Sequence, residues 1–367
     1  MSPATRFAIA TFVLIAACSD QTGPAATQTV DPSAFAAVQG DGRITVMTQN
    51  LYLGADADQV IGALVSADPT DDLPALQAAI ATLQGTDFAS RARAIAEQIE
   101  RFRPHAVGLQ EAYQIHVDLT ALGLPVRIDL DYLRILQAAL SARHLSYIVA
   151  AKVLDTDAQP FPGIRLVDWD VLLVDQSRVR VGRDRDIIAR TFQYNIGPLA
   201  PGIDKRAGYI IVPATVDGAP VTFVTTHLES DLGPDSHPQI AQLRAAQAAE
   251  IVGVLGSVSP VILTGDLNDE AGSPMYQVLQ GAGFVDAWAT LRPRDPGLTC
   301  CHAADLSDAV PTFDQRIDFI LARGMSGGRD ALRGAVDLLG SHRVRGPLGP
   351  TWPSDHAGVV ALFAMPR

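Results

Sequence analysis

The sequence predicts an α/β or α+β fold, formed by one large domain that starts after a short N-terminal region. β-Branched apolar runs recur along residues 43–367, and amphipathic helical patterns separate some of them. Hydrophobic residues make up 48% of the 367 positions, which is enough to bury a large core. Several predicted strands end in Asp, Asn, Glu or His. In folds of this class, strand ends and the loops after them commonly carry the functional residues.

Strands and helices alternate in the first half of the predicted domain. The β-branched run Arg43–Thr48 has the composition of a strand. An amphipathic helix is predicted over Arg91–Phe102, and it closes before Pro104 because proline cannot continue a helix. The remaining elements of this half are a buried strand over Ala106–Leu109, a helix over Tyr132–Leu145 and a strand over Ser146–Leu154.

The second half is richer in strands. Val167–Val174 and Arg178–Val181 predict a pair of strands joined by a turn at residues 175–177. The dipeptide Asp217-Gly218 between two apolar runs is a strong hairpin signal. The predicted elements of this hairpin and of the remaining chain are strands Tyr209–Val216 and Val221–Thr226, a helix over His237–Leu255, and strands Val261–Thr264, Ile317–Leu321 and Gly358–Phe363.

The N-terminus has the pattern of an export signal. Arg6 precedes the apolar run 7–17, which is too short to span a bilayer, and small residues lead to Cys18. Residues 15–18 resemble the bacterial lipoprotein box, in which the Cys is lipidated; the alternative is an ordinary signal peptide with a chance Cys. The expected organisation is a signal peptide over 1–17, lipidated Cys18 with a flexible tether to residue 42, and a domain over 43–367. Ser19 after the Cys favours an outer-membrane address.

Net charge and cysteines limit the partners and the compartment. The formal charge of −12 argues against a protein that depends on non-specific nucleic-acid binding, although a local basic rim remains compatible with it. Cys300 and Cys301 are adjacent, which allows a vicinal disulfide or a pair of free or metal-binding thiols. Their spacing is not that of a zinc site, so a local structural constraint is the favoured interpretation.

Polar motifs recur at predicted strand ends, and their order along the chain is the main functional signal. Each motif alone is more often structural than catalytic. Asp170 fits none of them and is interpreted as structural. The six segments are Gln49-Asn50, Gln110-Glu111, Thr226-His227, Gly265-Asp266-Leu267-Asn268, Arg316-Ile317-Asp318 and Ser354-Asp355-His356.

In this order, the motifs resemble those of the endonuclease/exonuclease/phosphatase superfamily. That superfamily includes DNase I-like nucleases, exonuclease III-like repair enzymes, neutral sphingomyelinases and inositol polyphosphate 5-phosphatases. The resemblance covers Arg43–Phe363, with the GDLN and SDH segments as its most specific parts. It implies a four-layer sandwich in which two mostly antiparallel β-sheets pack face to face with helices on the outside. The segments 50–56 and 299–302 resemble an uncharacterised bacterial branch and do not name a substrate.

The resemblance also implies a role for each motif residue. Glu111 would be the main ligand of a divalent cation, with Asn50 and Asp355 completing or supporting its shell; Mg²⁺ is expected, and Mn²⁺ or Ca²⁺ could replace it. Asp266 would deprotonate the attacking water and Asn268 would donate to a phosphoryl oxygen. The last three expected roles are phosphate binding by His356, orientation of its ring by Asp318, and phosphate contact or leaving-group assistance by His227.

The sequence therefore predicts a monomeric, metal-dependent phosphoester hydrolase that acts outside the cytoplasm and is held at a membrane by a lipid anchor. Nucleic acid or nucleotides are the favoured substrates, since the order of motifs is DNase-like. A phospholipid or sphingomyelin phosphodiesterase and a phosphatase remain alternatives. A non-catalytic surface binding protein with the same fold is a second alternative, because function depends on the site and not on the fold.

Overall fold

The computed structural model describes residues 42–56, 60, 63, 70–200, 202–231, 238–325 and 332–366. The predicted signal peptide, Cys18 and the tether up to residue 41 lie outside the described residues. Within the described part of the chain, no helix is both long and apolar enough to cross a membrane.

The predicted strands and helices are present in the predicted order along the described chain, together with several further short strands and three further helices. In chain order, the elements are β1 (Arg43–Asn50), α1 (Asp72–Thr86), α2 (Phe88–Phe102), β2 (Ala106–Gln110), β3 (Gln114–Asp118), β4 (Arg127–Asp131), α3 (Tyr132–Ala142), β5 (Tyr147–Ala158), β6 (Ile164–Asp175), β7 (Val179–Val181), β8 (Ile188–Thr191), β9 (Gly197–Ala200), β10 (Ile203–Lys205), β11 (Gly208–Val216), β12 (Ala219–His227), α4 (Pro238–Leu255), β13 (Val261–Asp266), α5 (Pro274–Gly281), β14 (Val285–Asp286), α6 (Ala287–Leu291), β15 (Asp318–Arg323), β16 (Gly334–Leu338), β17 (Val344–Gly346), β18 (Gly349–Thr351) and β19 (Val359–Ala364).

Two large sheets form the body of the fold. The first has ten strands in the order β16-β19-β1-β2-β6-β5-β10-β9, with β3 added beside β6 and β4 beside β3. The second has seven strands in the order β14-β15-β13-β12-β11-β7, with β8 also pairing with β11. Neighbours are antiparallel except for β1 with β2 and β12 with β13, which are parallel. The two parallel pairs are important because each brings two carboxyl-terminal strand ends to the same edge.

The sheets pack face to face, and helices cover their outer faces. Ile44 and Val46 of β1 lie in one buried cluster with Ile210 of β11 and Ile262 of β13, so this cluster fills the space between the sheets. Helices α2 and α3 bury their apolar faces against the outside of the first sheet. Helices α4 and α5 do the same on the second sheet. This is the four-layer sandwich with two mostly antiparallel sheets that the resemblance implies, and the prediction is confirmed.

The predicted pairing of the strand ending at Val174 with the strand over 178–181 is wrong. β6 lies in the first sheet beside β2 and β5, whereas β7 pairs with β11 in the second sheet. Asp175 closes the turn between them by accepting hydrogen bonds from the backbone and hydroxyl of Ser177, and it binds Arg178. The chain thus crosses between the two layers where the local pattern suggests a hairpin.

The hairpin predicted at Asp217-Gly218 is present. β11 and β12 pair along nine positions from Gly208↔His227 to Val216↔Ala219. Asp217 and Gly218 have φ angles of 50° and 81°, the left-handed values that a two-residue turn of this kind requires. This hairpin fixes the register that brings His227 to the edge of the second sheet.

Candidate active site

The parallel pair β1 and β2 places Asn50 beside Glu111. Asn50 is in register with Gln110, so Glu111 begins the loop directly beyond the pair. The Asn50 Nδ2 donates to Glu111 Oε1 at 2.9 Å, and the backbone N–H of Leu53 donates to Glu111 Oε2 at 2.9 Å. Glu111 has a φ of 58°, a left-handed value that is unusual for this residue type and recurs at functional sites. Its carboxylate is therefore held from two sides.

The second parallel pair places His227 beside Asp266. The two residues are in register across β12 and β13, and Asp266 is also in register with Asp318 of β15. The His227 Nε2 lies 3.7 Å from Asp266 Oδ2. Asn268 donates its backbone N–H to Asp266 Oδ1 at 3.0 Å and its side-chain Nδ2 to the Leu228 carbonyl at 2.8 Å. One N–H of the Asn268 amide remains for another acceptor.

His356 reaches the same place from the loop before β19. Its Nδ1 lies 2.8 Å from Asp318 Oδ2 and 3.6 Å from Asp266 Oδ2. The Ser354 hydroxyl donates to the Asn50 carbonyl at 2.7 Å and accepts from the His356 backbone N–H at 3.2 Å. The neighbouring Asp355 lies next to this hydroxyl, with its Oδ1 3.3 Å from the Ser354 Oγ.

Hydrogen bonds join the site residues of the two sheets, and Asn50 makes one of them. The Asn50 Nδ2, which binds Glu111, also donates to Asp266 Oδ2 at 3.1 Å. The Asn50 Oδ1 accepts the backbone N–H of Tyr52 at 2.9 Å, so the amide directs its nitrogen to both carboxylates. Glu111, Asp266, Asp318 and His356, separated by up to 245 positions in the chain, therefore converge at one end of the sandwich.

Charge determines the protonation of the His356–Asp318 pair. Burial opposes the charged imidazolium, but Asp318, Asp355 and Asp266 outweigh it and raise the pKa of His356 well above its ordinary value. Burial raises the pKa of Asp318 to about 6, and the imidazolium limits that rise. At neutral pH the pair is consequently an imidazolium and a carboxylate, so His356 is a cationic donor.

For Glu111, Asp355 and His227, burial outweighs the effect of neighbouring charges and favours the neutral form. Burial, with the negative charge of Asp355, raises the pKa of Glu111. Burial also raises the pKa of Asp355. Burial lowers the pKa of His227 in spite of the nearby Asp266, so that imidazole is neutral. Buried carboxylates in excess over cations are the chemistry that binds a metal ion.

The donor set fits a hard divalent cation. Glu111 and Asp355 are oxygen ligands of the kind that Mg²⁺ and Mn²⁺ prefer. Ligand atoms of Asp266, Asp318 and His356 also lie within 4.8 Å of one another. Asn50 directs its amide nitrogen at the carboxylates, and its Oδ1 already accepts one hydrogen bond. In this geometry Asn50 supports Glu111 rather than offering an oxygen beside it.

Arg91 supports the site, although no pattern in the sequence marks it. Its side chain is fully buried, and it donates to the carbonyls of Leu51 at 2.5 Å, Tyr52 at 3.0 Å and Pro353 at 3.3 Å. These carbonyls belong to the loops that follow Asn50 and precede Asp355. An arginine in an amphipathic helix ordinarily faces solvent, so the sequence offers no signal for this contact.

The Cys-Cys-His segment lies against the site. Cys300 and Cys301 form a vicinal disulfide, and the Cys301 Sγ lies 3.9 Å from His356 Nε2. The Thr299 hydroxyl accepts the backbone N–H groups of Ile317 and Asp318, each at 3.2 Å. The His302 backbone N–H donates to the Asp355 carbonyl at 2.9 Å. The segment thereby connects the Asp318 strand to the loop that carries His356.

Comparison with known proteins agrees with the fold. The Endonuclease/Exonuclease/phosphatase family model matches residues 47–356. No curated protein sequence matches the chain.

Solved structures of the same fold share little sequence with this chain. D. rerio TDP2 complexed with single strand DNA product is 16% identical, with a TM-score of 0.52 over 88% of this chain and 99% of that chain. An endonuclease/exonuclease/phosphatase from Beutenbergia cavernae is 19% identical, with a TM-score of 0.53 over 88% of this chain and 72% of that one. A family protein from Bacteroides thetaiotaomicron is 15% identical, with a TM-score of 0.54 over 89% and 98%.

Proposed function

Because the chain belongs to the endonuclease/exonuclease/phosphatase family, we propose that it hydrolyses phosphoesters with the help of a divalent cation. Family members are generally phosphoester hydrolases, and many of them depend on a metal. The observation that supports this proposal best is the surroundings of Asp266. Asn50, Asn268, His227 and His356 each place a nitrogen within 3.0–3.7 Å of its carboxylate.

The proposed reaction needs a base, a cationic donor and charge neutralisation. A divalent cation held by Glu111 and Asp355 would neutralise charge on the phosphoryl oxygens. Asp266 accepts the proton of the attacking water, because its carboxylate is fixed by Asn50 and by the Asn268 backbone. As the P–O bond to this water forms, the P–O bond to the ester oxygen breaks, and that oxygen leaves and takes a proton from solvent. The His356 imidazolium donates to a phosphoryl oxygen through Nε2, since Asp318 occupies Nδ1. The free amide N–H of Asn268 donates to a second oxygen.

The test is turnover of bis(p-nitrophenyl) phosphate and p-nitrophenyl phosphate with Mg²⁺ or Mn²⁺, with and without EDTA. We expect chelator-sensitive release of p-nitrophenol. Asp266→Asn should lower kcat by about 10³-fold and His356→Ala by about 10²-fold or more, with circular dichroism unchanged. Glu270→Gln, an exposed acid four residues after Asp266, is the matched control and should keep its activity. Failure of the wild type to turn over either ester would contradict the proposal.

Single-stranded nucleic acid is the substrate class that we favour. The complex of D. rerio TDP2 with a single strand DNA product supports this choice by analogy of fold. The experiment offers a fluorescent single-stranded oligonucleotide and, separately, vesicles of phosphatidylcholine and sphingomyelin. Cleavage of the oligonucleotide alone is expected. If only the vesicles release headgroups, the protein is a phospholipid phosphodiesterase and not a nuclease. Binding of either substrate without cleavage would favour a surface binding protein.

We further propose that the enzyme acts outside the cytoplasm, anchored through Cys18. The N-terminal sequence supports this, because Arg6 precedes the short apolar run 7–17 and small residues lead to Cys18. Fractionation of a diderm bacterial host that expresses the full chain should recover the protein in the outer membrane. Cys18→Ser should remove it from the outer membrane. Recovery of that variant in the outer membrane would contradict the lipid anchor.

A further inference from the structure

A second group of buried metal-binding side chains lies between the two sheets, next to the candidate active site. It consists of Asp155 on β5, Asp170 on β6 and His227 at the end of β12. One oxygen from each carboxylate and one ring nitrogen of His227 lie within 4.8 Å of one another. Asp155 is 3% exposed and Asp170 is fully buried. His227 is the most exposed of the three, so its ring is where the group meets the cleft.

The two carboxyl groups face each other, and the His227 backbone lies beside Asp170. Within the part of the chain that the structure describes, no hydrogen bond of normal geometry reaches any oxygen of Asp155 or Asp170. The backbone is irregular at Asp155, because the register of β5 against β6 shifts between Leu154 and Thr156. The shift leaves Asp155 as the extra residue of a β-bulge, a feature that commonly directs a side chain near an active site. Two unpartnered carboxyl groups aimed at one point need a proton or a cation between them.

Neighbouring charges increase the need for a cation. Asp168 lies two positions before Asp170 on the same strand, and it is buried as well. Glu229, which is 1% exposed, faces the same region and has the Lys205 ammonium 3.4 Å from its Oε1. Lys205 is thus paired with Glu229, and three further carboxyl groups remain without a fixed cation. A single proton neutralises one of these carboxyl groups, whereas a divalent cation neutralises two of them.

We propose that Asp155, Asp170 and His227 form a second divalent-cation site. Two carboxylates with one imidazole favour Mn²⁺ or Zn²⁺ over the all-oxygen preference of Mg²⁺ and Ca²⁺. His227 links this site to the catalytic carboxylates, since its Nε2 is 3.7 Å from Asp266 Oδ2. The cation would fix the His227 ring and add positive charge behind Asp266. Asp170, which sequence analysis treats as structural, then has a binding role.

The proposal is tested by counting ions, which does not depend on any activity. The full chain is stripped with a chelator and titrated with Mn²⁺, and free Mn²⁺ is measured by electron paramagnetic resonance. We expect two ions per wild-type chain. The isosteric double variant Asp155→Asn/Asp170→Asn should bind one ion, while Glu111→Gln should keep the ion of the new site. Asp157→Asn, a partly exposed acid on the same strand that pairs with Arg165, is the control and should bind two.

The possible outcomes separate this site from the proposed hydrolase. One ion in the wild type, lost in Glu111→Gln but kept in the double variant, overturns the second site and leaves the phosphoester hydrolase intact. Binding of two ions by the double variant would also contradict the second site. If the double variant fails to fold, the single variant Asp170→Asn replaces it, with an expected loss of at least tenfold in the affinity for the second ion.

Discussion

Asn50 illustrates how one side chain can organise carboxylates from two sheets. Its amide nitrogen donates to Glu111 and Asp266, and its oxygen is fixed by the Tyr52 backbone N–H. The side chain is 1% exposed, so a charged residue at this position would have to be desolvated. An aspartate would place a third negative charge against two existing ones. A neutral residue with two donors on one nitrogen holds both carboxylates without that repulsion, which explains why the position carries an amide.

At His105 a buried imidazole should make the stability depend on pH. Burial, with the positive charge of Arg178, lowers the pKa of His105 to about 4. The Thr45 backbone N–H donates to its Nδ1 at 3.0 Å, which requires that nitrogen to be unprotonated. The folded state therefore disfavours the imidazolium. The stability from the neutral ring is complete above the unfolded pKa of about 6.5, and it is lost as the pH falls from there towards 4.

We expect the wild type to lose about 2 kcal/mol of unfolding free energy through this residue between pH 7 and pH 5. Urea denaturation at both pH values measures the loss. In His105→Asn the amide oxygen can take the place of Nδ1 and accept from Thr45, but it cannot be protonated. The variant should therefore lose less stability over the same interval. Equal losses in the two proteins would show that His105 is not the group that titrates.

At the scale of elements, helix α2 holds two site loops through Arg91. Its guanidinium packs against the stacked rings of Phe88 and Tyr132, with its Cζ 4.9 Å and 5.8 Å from their centroids. From there it donates to the carbonyls of Leu51, Tyr52 and Pro353. These three backbone acceptors have few alternatives in a buried environment, so one side chain fixes the loops that carry Asn50 and Asp355.

Removal of this arginine should affect stability and catalysis together. Arg91→Met keeps much of the volume but leaves buried carbonyls unsatisfied, which should cost about 2–4 kcal/mol of unfolding free energy. Because the two loops then lose a common anchor, kcat should fall by at least tenfold. The stability and kcat of Arg91→Lys should lie between those of the wild type and of Arg91→Met, since one ammonium cannot reproduce the planar guanidinium. Arg93→Met on the exposed face of the same helix is the control and should change stability by less than about 0.5 kcal/mol. A wild-type kcat in Arg91→Met would contradict the proposal that Arg91 fixes the two site loops.

Local sequence predicts an element well when the signal is also local. The β11–β12 hairpin follows from Asp217-Gly218, because the turn residues and the strands they join are adjacent in the chain. Asn50 and Asp266 could be selected because each ends a strand, and Glu111 because it directly follows one. The partners of Arg91 lie 40 and 262 positions away, and no pattern within α2 indicates them. The same holds for β7, whose three residues cannot specify to which sheet they belong.

At the scale of the whole molecule, the site depends on how closely the two sheets approach each other. Gly108 of β2 faces Thr225 of β12 and Thr264 of β13 across the space between the layers. An added Cβ at Gly108 would lie 2.4 Å from the Oγ1 of each threonine. Glycine is thus required here for close packing. The contact is two residues before Gln110, whose Nε2 donates to the Thr225 hydroxyl at 3.2 Å.

Gly108→Ala should therefore separate the sheets near the site. Overpacking of this kind costs about 1–3 kcal/mol, which urea denaturation would measure. The same displacement should move Glu111 away from Asp266 and weaken the binding of Mn²⁺ in the titration described above. Gly253→Ala in α4, where no atom lies within 4 Å of the added Cβ, is the control and should gain about 0.5–1 kcal/mol because alanine favours a helix. If Gly108→Ala keeps the stability and the Mn²⁺ affinity of the wild type, the spacing of the sheets does not control the geometry of the site.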